Sequence, residues 1–257
     1  MMGSPENELG RSDDETLHKV TLTQDFLMNK YITNEHLKCK ISDCNGVNYS
    51  LLPLSYVSRK DSLDFCNILN KKLAFSLPAG YAFSLPTEAQ WEYACRAGTN
   101  TALYNGKNLT AKEGECPNLD NIAWYLGNSG CDPESARQGC VYNVGEKYPN
   151  AWGLYDMLGV TWEWCYDRYM KYPKGDVVDP IQRGDVGYLT DPEQYSRRFN
   201  NENKWIMRGG CYISEAYKNR SACRNTSRDG GGYGDVCFRI ALTPVHKASG
   251  YNEEYIL

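Results

Sequence analysis

At 257 residues the chain has room for one large domain or two small ones, and for a substantial buried core. A composition that is 41% hydrophobic and 12% aromatic excludes a disordered chain, and a net charge of −4 gives no reason to expect nucleic acid or an anionic membrane as a partner. No apolar run reaches the roughly 20 residues that cross a bilayer, and no charged-then-apolar leader is present.

The first residues are polar and acidic, then HKVTLTQDFLMNKY (18–31) alternates as a strand does. TNEHLKCKI (33–41) reads as a helix start with Thr33 or Asn34 as its cap. In SRKDSLDFCNILNKKL (58–73) the apolar Leu63, Phe65, Cys66, Leu69 and Leu73 keep a helical period, with Asp61 or Ser62 as the cap. FSLPTEAQWEYACRAG (83–98) is a short strand ended by Pro86 and a helix capped by Thr87, with Glu88 and Glu92 in its early turns and Gly98 as its stop.

Residues 99–148 are loop-like, and a loop of that length inside a compact domain needs anchoring by a metal, a disulfide or its own packing. Cys116, Cys131 and Cys140 fall in it and leave room for one local disulfide. The chain has 11 cysteines, an odd number, with no CxxC and with its three histidines (His18, His36, His246) far apart in sequence. That excludes the usual zinc spacings and favours mostly reduced thiols in a cytosol-like compartment. A leader removed ahead of Met1 would place the protein at a surface instead. Tyrosine, at 20 residues, supplies contact area at low entropic cost and suits recognition surfaces.

NAWGLYDMLGVTWEWCYDRY (150–169) is the most aromatic stretch, and Trp162 and Trp164 read as core. After another irregular run comes MRGGCYISEAYKNRSACRNTSRDGGGYGDVCFR (207–239), a Gly-Gly turn and an apolar strand (236–242) enclosing a polar segment without a period.

In chain order, MGSPENELGRSDDETLHKVTL, FSLPTEAQWEYACRAGT, NAWGLYDMLGVTWEW and MRGG…SACR…CFRIAL together resemble the formylglycine-generating-enzyme (sulfatase-modifying factor) family. The resemblance implies an α+β domain of the C-type lectin type over residues 1–242, with few helices, short twisted antiparallel strands and long ordered loops, followed by a tail at 243–257. In the family's oxidases two cysteines after Arg-Gly-Gly bind copper. Here those positions are Ser214 and Asn219, which are not thiolate ligands for a soft ion, so the resemblance implies no copper and no catalytic residue. An oxidase or other divergent enzyme of the family remains the alternative. The resemblance also implies a structural Ca²⁺ site at Asp156, the carbonyls of Gly159 and Thr161, and Glu163, and more faintly a second at Asn121 and Ile122.

The segment from Arg208 onward is also similar to the variable proteins of diversity-generating retroelements, which display a mutable surface on this fold. Ala216, Arg220, Ala222 and Arg224 match their frame. The implied ligand-binding positions are Tyr212, Ile213, Ser214, Glu215, Tyr217, Lys218, Asn219, Cys223, Asn225, Ser227, Asp229, Tyr233 and Asp235, facing a protein or other macromolecular ligand through residues 211–236. Most residues of this segment are reachable by adenine changes in AAC or AAT codons; Glu215 and Lys218 are not.

Overall fold

The computed structural model describes residues 1–42, 50–131, 140, 142–182, 204–228 and 233–245. The alternating pattern of 18–31 yields only two short strands, β1 (Val20–Thr21) and β2 (Leu27–Met28). Helix α1 (Glu35–Ser42) opens with the Asn34 side chain accepting from Leu37 N–H at 2.9 Å, which decides between the two candidate caps. Helix α2 (Arg59–Lys72) begins earlier than its apolar period indicates. Ser58 is the cap, and Asp61 sits one turn in, its carboxylate accepting from Ser58 N–H in a reciprocal capping box.

Strand β3 (Tyr81–Ser84) leads into helix α3 (Glu88–Arg96), capped by Thr87 with Gln90 as its reciprocal partner. The helix stops where Ala97 turns left-handed (φ 45°), one residue ahead of Gly98. A four-residue helix α4 (Leu126–Ser129) interrupts the long loop, and β4 (Trp162–Arg168) and β5 (Val177–Val178) follow. The apolar run at 236–242 is two strands. After β6 (Lys204–Arg208) and β7 (Asn225–Arg228) come β8 (Val236–Phe238) and β9 (Ala241–Pro244), parted by Arg239 and Ile240. Strand β9 runs through Pro244, so residues 243 and 244 belong to the folded domain and not to the tail; residues 246–257 lie outside the described residues.

The strands form three small sheets, ordered β1-β5, β2-β9-β3 and β7-β6-β4-β8. The pairings are antiparallel except β1 with β5 and β4 with β8, which are parallel. In β4 the strand period puts Trp162 and Trp164 into one core cluster with Met207 and Phe238, and Cys165 into the other with Trp91 and Ile206. Both tryptophans are buried.

Buried ion pairs tie the segments together. Arg208 reaches Glu92 and gives three hydrogen bonds of 2.7–2.8 Å to the carbonyls of Ser221, Ala222 and Cys223. Arg224 makes a two-pronged pair with Glu88, at 2.7 and 2.9 Å. Arg220 grips Glu8 at 2.6 Å, Glu15 at 2.7 and 2.8 Å, and the carbonyl of Gly10 at 2.7 Å. Glu88 and Glu92, which sequence alone places as early-turn helix residues, are thus buried partners of arginines more than 100 residues away.

Candidate functional site

Gly209 and Gly210 both have positive φ (101° and 79°), the backbone freedom the turn after β6 requires. They fold the segment back onto the turn that precedes β4. Gly159 N–H donates to the Gly209 carbonyl at 2.8 Å, and Tyr212 N–H to the Val160 carbonyl at 3.2 Å. A side chain at Gly210 would meet Asn219 Oδ1 at 2.2 Å, so the glycine is also needed for close approach.

This fold-back corrects part of the predicted surface. Asn219 is fully buried, its amide donating to the carbonyls of Ser214 (3.3 Å) and Glu215 (2.9 Å). Cys223 lies in the core cluster against β8. Tyr212 and Ser214 are nearly closed off, and the Ser214 hydroxyl lies 3.0 Å from Cys211 Sγ. Ile213, Glu215, Tyr217, Asn225, Ser227 and Asp235 are half-buried, while Lys218 and Tyr233 are exposed. Tyr217 packs on Gly10, with the ammonium groups of Lys112 and Lys218 at 5.1 and 5.8 Å from its ring. Asp229 lies outside the described residues.

Three aromatic residues from outside the segment join it. Tyr142 stacks on Trp124 (4.4 Å between centroids) and stands 6.2 Å from Tyr212. Tyr56 donates its N–H to the Tyr233 carbonyl at 3.1 Å, and its hydroxyl lies over Gly234. Tyr56 is 75% exposed and left-handed (φ 60°), a conformation that costs a non-glycine residue roughly 1–2 kcal/mol. Left-handed backbone at a tyrosine has no sequence signature, and Trp124 and Tyr142 fall in the loop-like stretch, so sequence reasoning missed all three. A cavity of about 430 Å³ lies elsewhere, lined among others by Phe26, Tyr93, Arg96 and Trp152, and includes no residue of the 207–239 segment.

The thiols are not set up as ligands. Burial pushes Cys211 up to about 12 and Cys223 up to about 11, so both stay protonated at neutral pH. Of the three loop cysteines, Cys131 and Cys140 form the disulfide, and Cys116 is a buried free thiol.

Of the predicted calcium ligands, Asp156 keeps a buried Oδ1 without a partner, whereas Glu163 and the Gly159 carbonyl are engaged within the fold. Both oxygens of Glu163 are held by Arg239, at 2.7–3.3 Å, and one also by Trp91 Nε1 at 2.9 Å. The Gly159 carbonyl accepts from Thr161 N–H at 2.8 Å. The carbonyls of Asn121 and Ile122, the fainter site, accept from Tyr148 N–H and the Tyr104 hydroxyl. Among the described residues no three His, Cys, Asp or Glu side chains cluster as a metal site. The guanidinium of Arg239 neutralises Glu163 where a dication is expected, and a Ca²⁺ ion beside it would be repelled. Chelator and added calcium are therefore both expected to leave the melting temperature unchanged. A resident ion at a hundred times its Kd would add about 2.7 kcal/mol and shift it visibly.

Two buried aspartates carry a pH dependence. Burial pushes Asp156, whose Oδ1 has no hydrogen-bond partner, up to about 6. Burial likewise pushes Asp167 up to about 7, outweighing the main-chain N–H groups of Glu88 and Gln182 that donate to it. Both values exceed those of the unfolded chain, so the native state holds more protons between about pH 4 and 7. The sign is then fixed for these two groups: the stability they contribute falls as pH rises through that window, by about 1.4 kcal/mol for each pH unit by which each is raised, several kcal/mol together. Urea unfolding at pH 5 and pH 8 checks it, and equal or greater stability at pH 8 would contradict it.

The comparisons agree with this architecture. The family model for the sulfatase-modifying factor enzyme 1-like domain matches residues 1–244. Formylglycine-generating enzyme of Mus musculus is 26% identical over 77% of this chain and 46% of its own length. That of Thermomonospora curvata is 30% identical over 75% of this chain and 56% of its own. The chain thus spans about half the length of the curated relatives it matches. Among solved structures, Treponema denticola variable protein 1 superposes with a TM-score of 0.70 over 95% of this chain and 91% of that one, at 23% identity, which speaks to the fold alone. With its Arg-Gly-Gly turn, its fold and a family match over nearly its whole length, the chain belongs to the sulfatase-modifying factor enzyme 1-like family.

Proposed function

We propose that the protein is a non-catalytic binding protein, in which residues 211–236 form a variable surface for a protein or other macromolecular ligand. One observation carries the reading: buried and outward positions alternate within a single segment. Ala216, Arg220, Ala222 and Arg224 are buried, three of them at 0%, whereas Ile213, Glu215, Tyr217 and Lys218 turn partly or fully outward. The frame holds the backbone, and the side chains between are available for contact.

The chemistry of the family's oxidases has no ligands here to support it. Ser214 and Asn219 stand at the copper positions, each committed to internal hydrogen bonds, and the nearby thiols stay protonated. The likeness in fold to a variable protein supports the same reading.

The test is to sequence the 3′ end of the gene across a population of its source. Substitutions concentrated at adenines in the codons for the outward positions, with the frame codons fixed, are the expected result. A segment as invariant as the core would overturn the reading. An oxidase would instead consume oxygen with a cysteine-containing peptide and copper.

A further inference from the structure

We infer that the part of this surface around Asp235 is a seat for a cationic side chain, an arginine or lysine presented by the partner protein. The inference rests on the binding reading above and adds the chemistry of the partner. Tyr212 forms the floor, nearly closed off, with Tyr142 behind it. Tyr233, 51% exposed, and Tyr56, 75% exposed, stand as walls, coupled by the Tyr56 N–H to Tyr233 carbonyl bond and by the Tyr56 hydroxyl over Gly234.

The carboxylate among them, that of Asp235, has no ion-pair partner among the described residues. Asp235 Oδ2 accepts only a weak contact, 3.5 Å long, from the Cys211 thiol. Its main chain is fixed by Trp162 N–H, which donates to the Asp235 carbonyl at 2.8 Å. Nearby charges are already committed. The Lys147 ammonium lies 3.7 Å from the Trp124 ring and donates to the Asp120 carbonyl, and Glu146 accepts from Trp124 Nε1. The electron-rich faces of tyrosine rings attract cations, and a carboxylate between them adds the counter-charge. The other end of the segment has the opposite character, since lysines already flank Tyr217. That polarity places the partner's cation at the Tyr233 end.

The probe is N-acetyl-arginine amide, titrated into the full chain and followed by NMR through the tyrosine ring signals. The neutral isostere N-acetyl-citrulline amide serves as the control. Saturable shifts at Tyr56, Tyr212 and Tyr233 with arginine, and at least about tenfold weaker binding of citrulline, are the expected result. Asp235→Asn should lose a similar factor. Tyr56→Gly should weaken binding while keeping the fold, because glycine accepts the left-handed backbone without strain.

Equal binding of the two probes, or unchanged affinity in Asp235→Asn, would overturn the inference. Failure here and failure of the variable-surface reading are separable. A segment varied in the population with no preference for arginine leaves that reading standing without this seat. An arginine seat on an invariant segment leaves the seat standing as a fixed specificity.

Discussion

Replacing Arg208 by alanine is expected to remove about 3–5 kcal/mol of unfolding free energy, the cost of leaving a buried charge unpaired. The guanidinium is fully buried and serves four acceptors at once, Glu92 and the carbonyls of Ser221, Ala222 and Cys223. Arg96 pairs with Glu92 as well, at 2.8 Å, and compensates part of the stranded carboxylate. The three carbonyls have no such reserve. A second change, Glu92→Ala, in the same chain should therefore recover only part of the loss. Urea denaturation of the two single variants and the double measures this directly. A loss below about 1 kcal/mol in Arg208→Ala would mean that the guanidinium is not holding the segment, since surface pairs alone are worth that little.

Arg220→Lys is expected to be nearly as damaging as Arg220→Ala, with a loss of about 2–4 kcal/mol, although it preserves the charge. Arg220 joins Glu8, Glu15 and the Gly10 carbonyl through its two terminal nitrogens, Nη1 serving Glu8 and Glu15 and Nη2 serving Glu15 and Gly10, and Glu15 is itself fully buried. A lysine ammonium is a point donor and cannot span these acceptors from one position. Because Tyr217 packs on Gly10, the variant should also loosen the outward face. Amide hydrogen exchange should rise at residues 8–15 and 215–219 together. Wild-type stability in the lysine variant would show that charge alone, and not the fork of donors, holds the two segments.

Legibility in the sequence followed the range of the forces involved. Local signals read well. The cap at Thr87, the helix at 59–72 and the alternation Trp-Glu-Trp-Cys in β4 arise from contacts within a few residues, and each stands close to where its pattern places it. The two strands within 236–242 were not separable, because Arg239 leaves the strand line to reach Glu163, a partner 76 residues away. The same long-range pairing bears on the expected calcium, because the sequence offers Glu163 as a ligand and gives no sign that Arg239 holds its carboxylate in the fold. Asn219 and Cys223 read as surface because polarity marks exposure only on average. Here two glycines at positive φ fold the segment inward, and the Asn219 amide finds main-chain carbonyls there.

The grip of Arg220 on Glu8 and Glu15 spans 205 residues or more, and β9 is the strand that bridges β2 and β3. On the ribosome, then, Glu8 and Glu15 emerge without their counter-charge. At about 5–20 residues per second, they wait roughly 10–40 s for the arginine that neutralises them. The middle strand of the β2-β9-β3 sheet is made later still. Most of this domain is translated before it can close, and the nascent protein passes that interval with the Glu8 and Glu15 carboxylates and two strand edges open to whatever chaperone the cell supplies.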